Sequence, residues 1–237
     1  MNTECARIFS RLVMADRAVH IKLLGDSITH GVGGTGFDQN GEPITKGFAR
    51  NPDGFCWAKM FKEHMESAYN CTVTNNACTG TDIKFILERF DELVSPEDDI
   101  VICTIGTNNR HFYHFWGEKP DTREFMDAFY KNILTLNAKF KEAGKAVVFV
   151  ANIPASADAE KDGDDYWRLF HMNDVHDLYL KASFEGGFAL ISLYKAMKKY
   201  CRDKNITLDS LLADGLHPND EGYRVMYDLL MDEIGLA

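Results

Sequence analysis

Short apolar runs alternate along the chain with longer segments in which apolar residues recur at helical spacing. Short runs that are apolar or β-branched throughout are typical of strands buried on both faces of a sheet. The pattern predicts five strands, at Ile21–Leu24, Cys71–Asn75, Ile100–Ile105, Ala146–Ala151 and Phe188–Ser192.

The segments between these strands place their apolar residues on one face of a helix. Three such faces are formed by Trp57, Phe61, Met65 and Ala68, by Ile83, Ile86, Leu87 and Phe90, and by Phe125, Phe129, Ile133, Leu136 and Phe140. A shorter pattern around Leu178–Ala182 indicates a fourth helix. The last helix should start after Pro218, with Asn219 as its N-cap, and end near Gly235.

This alternation predicts an α/β fold in which helices cover both faces of a mostly parallel sheet. The chain of 237 residues suits a single domain over residues 1–237, since it has no internal repeat and no linker-like stretch. Ligands of such sheets bind beyond the carboxyl ends of the strands. The chemistry is therefore expected just after each predicted strand.

Composition narrows the possible partners. Asp and Glu outnumber Lys and Arg by 36 to 26, for a formal net charge of −10, which disfavours nucleic acid and anionic membrane surfaces. The six cysteines show no C-x-x-C pairing, the N-terminus lacks the apolar stretch of a signal peptide, and no window is long and apolar enough to span a bilayer. We therefore expect a reduced, cytoplasmic protein; its oligomeric state is left open.

Two interpretations compete for the segment after the first strand. Gly31–Gly36 has the letters G-x-G-x-x-G of a dinucleotide-binding loop, which works only where the glycines join a strand directly to a helix. Here the strand ends near Leu24, and the Gly/Pro/Asn-rich stretch Phe37–Asp53 precedes the next helix, so we regard the match as coincidental. Ser27 is the alternative, a nucleophile at the strand end, although Gly-Asp-Ser alone is more often an ordinary turn.

Small and polar residues also follow the next two strands. The turn Asn75–Gly80 offers free backbone N–H groups, and no sequence feature prefers Cys78 within it to Ser27 as the nucleophile. Asn108 follows the third strand, where its amide can donate to a developing oxyanion. Taken singly, each is as easily explained as a turn residue.

A possible general base lies near the C-terminus, in Asp214-Gly215-Leu216-His217-Pro218. Pro218 keeps His217 on the loop before the last helix. Asp214 is close enough along a tight loop to accept a hydrogen bond from the imidazole, which would fix the tautomer and stabilise the imidazolium. The alternative is a helix-start turn with a surface histidine.

Together these blocks resemble the conserved blocks of the SGNH (GDSL) hydrolase superfamily, in the family's order and across most of the chain. The blocks are Gly25-Asp26-Ser27, the Asn75–Gly80 turn, Gly106-Thr107-Asn108 and Asp214-x-x-His217-Pro218. The resemblance implies a three-layer α/β/α sandwich with a flavodoxin-like parallel sheet of about five strands. It also implies ester hydrolysis through a Ser–His–Asp triad, with a small-molecule ester as substrate and with no metal or cofactor.

By that resemblance Ser27 is the nucleophile, His217 the base and then the acid, and Asp214 the residue that orients it. The oxyanion hole would use the backbone N–H groups of Ser27 and Ala77 and the side chain of Asn108. Ala77 stands where the family usually has glycine, and Asn109 where it often has aspartate. The second departure puts a neutral amide in place of a carboxylate next to Asn108.

An aromatic segment, His111–Trp116, follows Asn108 directly, and it is either core packing or a pocket wall. We assign Asp26, Phe112, Phe115 and Trp116 to the substrate pocket. Because bulky rings beside the oxyanion donor would close the acyl side, we expect short acyl esters, above all acetyl, with a carbohydrate as a candidate for the alcohol. A lysophospholipase or thioesterase of the same family and a non-catalytic flavodoxin-like binding module are the alternatives.

Overall fold

The computed structural model describes residues 3–37 and 54–236. The strands are β1 (Val19–Gly25), β2 (Cys71–Asn75), β3 (Ile100–Thr104), β4 (His111–Tyr113), β5 (Ala146–Ala151), β6 (Tyr166–Arg168) and β7 (Ala189–Ser192). The helices are α1 (Thr3–Phe9), α2 (Arg11–Met14), α3 (Ser27–His30), α4 (Trp57–Ala68), α5 (Ile83–Glu88), α6 (Phe90–Leu93), α7 (Thr122–Glu142), α8 (Met172–Gly186), α9 (Leu193–Lys204) and α10 (Asp220–Ile234).

Five parallel strands form the central sheet in the order β2-β1-β3-β5-β7. In the central pairing, Ile21 of β1 lies opposite both Val73 of β2 and Ile100 of β3. Every residue of β3 is buried, as expected for a strand covered on both faces. At the edge, β2 instead alternates, with Thr72 and Thr74 exposed.

Two hydrophobic clusters lie on opposite faces of this sheet. On the first, which we call the α10 face, α1, α4, α9 and α10 pack around residues such as Phe61, Met197 and Tyr223. On the second, the α7 face, α5 to α8 pack around residues such as Ile133 and Tyr179. The predicted three-layer α/β/α sandwich with a five-stranded parallel sheet is thereby confirmed.

The helices differ from the sequence pattern in two respects. The predicted face from Ile83 to Phe90 is divided between α5 and α6, because Arg89 adopts non-helical dihedrals (φ −113°, ψ 23°). Four helices, α1, α2, α3 and α9, are not predicted at all. In contrast, α10 begins and ends as expected: Asn219 accepts a hydrogen bond from the N–H of Gly222, and Gly235 closes the helix with φ 82°.

A second, two-stranded antiparallel sheet pairs β4 with β6 above the α7 face, and it contains part of the aromatic segment. All six cysteines lie within the described residues, and none of them forms a disulfide. No helix in the described ranges is long and apolar enough to cross a membrane.

Candidate active site

Ser27 is placed by the tight junction between β1 and α3. Asp26 caps α3 by accepting a hydrogen bond from the N–H of Ile28 at 3.0 Å, so that Ser27 is the first residue of the helix. Gly25 allows the close approach of strand and helix, since a Cβ there would lie 2.3 Å from the hydroxyl oxygen of Thr29. The N–H of Ser27 belongs to the first helical turn, whose amides have no partner within the helix.

His217 and Asp214 lie on a closed loop before α10. The loop is held by an antiparallel bridge between Leu212 and Pro218 and by the N–H of Ala213, which donates to the carbonyl of His217 at 2.8 Å. Nδ1 of His217 is 2.7 Å from Oδ2 of Asp214, and Nε2 is 2.8 Å from Oγ of Ser27. The three side chains singled out from the sequence therefore form one continuous hydrogen-bonded chain.

Asp214 is held in its charged form. Burial alone would raise its pKa, but hydrogen bonds from the backbone and side chain of His217 and from the N–H of Leu216 bring the pKa below its usual value. Oδ1 accepts the two backbone N–H groups, at 3.0 Å from Leu216 and 2.8 Å from His217, which leaves Oδ2 for the imidazole. An ionised acceptor at Nδ1 is what a histidine needs to take up a proton at Nε2.

Asp26 does not line a pocket, and its assignment to the substrate pocket is corrected. The residue is fully buried beneath Ser27 and faces Thr107 and Asn152. Burial raises the pKa of Asp26 to about 6, against the opposing effects of the Ile28 N–H, the Thr107 hydroxyl and the charge of His217. Asp26 thus supports the nucleophile from below.

The predicted oxyanion donors differ in availability. The amide of Asn108 donates to the carbonyl of Thr81 at 2.9 Å, and its second hydrogen remains for another acceptor. Ala77 is 1% exposed, and its one N–H hydrogen donates to Oδ1 of Asn75 at 2.9 Å. The structure therefore does not support Ala77 as a donor to substrate.

Gly80, at the other end of the same turn, is a better candidate. It is exposed, its φ of +80° favours glycine, and no hydrogen bond among the described residues uses its N–H. The signal was present in the sequence as the glycine that ends the Asn75–Gly80 turn.

Asn109 has a structural role beside the site. It is buried, and its Oδ1 accepts the N–H of Ile83 at 3.2 Å at the start of α5. This contact needs only an acceptor oxygen, which an amide supplies as well as a carboxylate.

The aromatic segment separates into two parts. Phe112 and Trp116 line a cavity of about 410 Å³ beside Asn108, whereas Phe115 is 77% exposed and does not line it. The assignment of Phe115 to the pocket is therefore corrected. The rings border an open space and do not fill it. The expectation that they close the acyl side of the pocket is therefore not supported.

Sequence reasoning missed a buried ionic cluster beyond Asn108. Arg110 is fully buried, donates from Nε to the carbonyl of Thr107 at 3.1 Å, and pairs through Nη1 with Glu160 at 2.5 Å. Burial lowers the pKa of Arg110 to about 10, as does the nearby Arg168, while Glu160 opposes the shift. The cluster connects the segment after β3 with the loop after β5, and no short-range sequence motif predicts it.

Cys78 is a weaker candidate nucleophile than Ser27. Burial raises the pKa of the Cys78 thiol, which disfavours a thiolate nucleophile. No cluster of His, Cys, Asp or Glu suited to a metal ion occurs in the described part of the chain. Of the Gly/Pro/Asn-rich stretch Phe37–Asp53, residues 38–53 lie outside the described residues.

Comparison with known proteins identifies the protein family. The profile of the GDSL-like Lipase/Acylhydrolase family matches residues 23–225, and the chain belongs to that family. It is, by that membership, an ester hydrolase. No curated protein matches the chain.

Solved structures share the fold at low identity. One is LAE5, an α/β hydrolase enzyme from the metagenome of Lake Arreo (19% identity, 93% of this chain and 96% of that chain, TM-score 0.67). Another is a Parabacteroides merdae protein assigned as a GDSL-like lipase (19%, 93% and 97%, 0.69). A third is Axe2, an acetylxylan esterase from Geobacillus stearothermophilus (17%, 93% and 96%, 0.67).

Proposed function

We propose that this protein hydrolyses carboxylic esters with Ser27 as nucleophile, His217 as general base and acid, and Asp214 as the residue that orients His217. The observation that carries the proposal is the chain of two short contacts, 2.8 Å from Ser27 Oγ to His217 Nε2 and 2.7 Å from His217 Nδ1 to Asp214. A nucleophile, a base and an orienting acid in this sequence of contacts support covalent acyl transfer as the mechanism.

In the acylation half, Oγ of Ser27 attacks the ester carbonyl carbon while its proton moves to Nε2 of His217. The carbonyl oxygen becomes an oxyanion in the tetrahedral intermediate. When the intermediate collapses, the bond to the alcohol oxygen breaks, and that oxygen takes the proton from Nε2. The acyl group remains on Ser27 as an ester.

The oxyanion is stabilised by the N–H groups of Ser27 and Gly80 and by the second amide hydrogen of Asn108. Three donors from three different strand ends would surround one oxygen, and they need little reorganisation because each belongs to a fixed turn. Gly80 takes the place first assigned to Ala77, whose N–H is already used.

In the deacylation half, a water molecule gives a proton to Nε2 of His217 and its oxygen attacks the acyl carbon. Collapse of the second intermediate breaks the bond to Oγ of Ser27, which recovers the proton. The products are the carboxylic acid and the free enzyme.

A non-catalytic binding module is disfavoured by the same contacts, since binding alone requires no hydrogen-bonded Ser–His–Asp chain. For the alcohol portion of the substrate we propose a carbohydrate, by analogy with the acetylxylan esterase of similar fold. The expectation of an acetyl group has less support, because Phe112 and Trp116 border a cavity.

The proposal is tested by Ser27→Ala and His217→Ala, alone and together. Each single variant should lower kcat on p-nitrophenyl acetate by roughly 10⁴–10⁶, and the double variant should be little worse, because residues that act as a unit are not additive. A fluorophosphonate, which forms a bond to a reactive serine oxygen with loss of fluoride, should label Ser27 alone, as read by peptide mass spectrometry.

Ser67→Ala is the matched control, since Ser67 is exposed on α4 and only donates to the carbonyl of His64. It should hydrolyse and label like the native protein. If Ser27→Ala retains a substantial part of the turnover, or if the label is found elsewhere, the nucleophile is wrongly assigned.

A further inference from the structure

A ring-lined cavity of about 410 Å³ lies between α5, α7 and the segment 108–116. Five aromatic side chains contribute to its lining: Phe85, Phe112, Trp116, Phe125 and Phe129. Phe112 contacts two of the other rings edge to face, Trp116 at 5.4 Å and Phe125 at 6.0 Å between centroids. The volume falls in the range of small-molecule sites, which are mostly apolar with a few polar groups.

The cavity and the proposed catalytic site share one residue, Asn108. This residue lines the cavity, and its amide has one hydrogen left after its bond to Thr81. A carbonyl oxygen that accepts from Asn108 therefore lies at the edge of the cavity, and one substituent of its carbon can extend into it.

The position of His217 indicates which substituent that is. His217 must reach the alcohol oxygen in order to protonate it, so the alcohol portion leaves on the side of His217. The loop of His217 leads into α10, whose Tyr223 packs on the α10 face, whereas Phe125 and Phe129 of the cavity pack on the α7 face. The segment that carries His217 therefore belongs to the α10 face and the cavity to the α7 face, so the substituent that extends away from His217 toward the cavity is the acyl group.

We propose that this cavity is the acyl-binding site and that it takes an apolar acyl group larger than acetyl, either a medium alkyl chain or a phenyl ring. The inference rests on the proposed ester hydrolysis and adds the class of acyl group. Each methylene that moves from water into an apolar site should raise kcat/KM about fourfold until the cavity is full.

The first experiment measures kcat/KM of the full-length protein on p-nitrophenyl acetate, butyrate, hexanoate and benzoate. We expect hexanoate or benzoate to exceed acetate by at least tenfold; the two distinguish a site shaped for a chain from one shaped for a ring. Activity on acetate with no gain on either larger ester overturns the acyl site and leaves the esterase assignment intact. Inactivity on every ester overturns both.

The second experiment fills the cavity from α7. Ala128 is exposed and lines the cavity, so Ala128→Trp should occupy part of the space without cutting a core contact. The ratio of kcat/KM on hexanoate and benzoate to kcat/KM on acetate should fall at least tenfold. Ala138→Trp is the matched control, because Ala138 is exposed on the same helix and does not line the cavity.

A third series keeps the acetyl group and enlarges the alcohol. In this series the ratio of kcat/KM on bulky alcohol esters to kcat/KM on small ones should be the same in Ala128→Trp as in the native protein. If Ala128→Trp lowers hydrolysis of bulky alcohol esters but not of long acyl esters, the cavity holds the alcohol portion and the proposal is wrong. Equal losses in Ala128→Trp and Ala138→Trp would also contradict it.

Discussion

The two halves of the candidate site are supported in different ways. In the half that contains Ser27 and His217, each of the two segments is held by contacts between residues close in sequence: Asp26 caps its own helix two residues on, and Asp214 binds His217 three residues on. The two segments meet in the 2.8 Å contact of Ser27 with His217, which lies 190 residues further along the chain. The half that contains Asn108 depends on contacts across the chain. The ion pair of Arg110 with Glu160 spans 50 residues.

The ionic cluster extends this long-range support. The N–H of Leu169 donates to the carbonyl of Arg110 at 2.9 Å, and the guanidinium of Arg168 donates to the ring of His111 and, at 2.7 Å, to the carbonyl of Ala159. Burial lowers the pKa of His111 to about 3, as do the charges of Arg168 and Arg110, so the ring accepts as a neutral base. Residues of this half therefore acquire their position only in the folded chain.

The difference is also one of chemistry. The Ser27 half presents hydrogen-bonded groups that move protons, while the Asn108 half presents one donor beside a wall of rings. A substitution in the first half should affect the proton transfers with every substrate, whereas one in the second should affect charge stabilisation, stability or substrate choice.

The largest effect within the second half is expected for Asn108→Ala. The variant should lower kcat by roughly 10²–10³ and leave KM nearly unchanged, because the oxyanion exists in the transition state and not in the bound ester. Steady-state kinetics on p-nitrophenyl acetate provides the measurement. Asn173→Ala, which removes an exposed amide that donates to Asp177, is the control. An unchanged kcat in Asn108→Ala would place the oxyanion hole elsewhere.

Sequence patterns could predict the contacts within each segment of the Ser27 half because those contacts are local. A side chain at the end of a parallel strand has only one edge of the sheet to occupy, and the i to i+3 spacing of Asp214 and His217 fits one tight loop. The layers and the sheet could be predicted for the same reason, since burial on both faces leaves uninterrupted apolar runs in the central strands.

The rest depended on directions that residue types do not encode. Nothing in the sequence indicates that the N–H of Ala77 points to Asn75, or that Asp26 points inward to Thr107. The opening between Phe112 and α7 depends on how the folded elements pack. The aromatic run alone therefore did not show whether its rings line a cavity or fill it. Pairs such as Arg110 with Glu160 lie beyond any local pattern.

The ion pair of the second half can be broken on its own. Glu160→Ala leaves the fully buried guanidinium of Arg110 without its counter-charge and beside Arg168, and the free energy of unfolding should fall by roughly 3–5 kcal/mol. Urea unfolding gives the value. Asp203→Ala, which breaks the exposed pair with Lys199, should lower the free energy of unfolding far less, because solvent screens an exposed pair. Similar losses in both variants would show that the buried pair has no special role in holding this half.

The smallest expected effect concerns the first half and pH. In the unfolded chain Asp26 titrates near pH 3.9, but in the folded protein its pKa is raised to about 6 by burial. Between these values the folded state binds more protons than the unfolded state, so the contribution of Asp26 to stability is fully present below about pH 4 and is lost as pH rises through about 6. Two pKa units correspond to on the order of 3 kcal/mol as an upper value.

Asp26→Asn keeps an acceptor for the N–H of Ile28 but cannot ionise. The free energy of unfolding of the variant should therefore increase relative to that of the native protein from pH 4 to pH 7. Urea unfolding of both proteins at several pH values measures the difference. A difference that is constant over this range would show that the pKa of Asp26 is the same in the folded and the unfolded protein. Ionisation of the carboxyl group next to Ser27 would then not oppose folding.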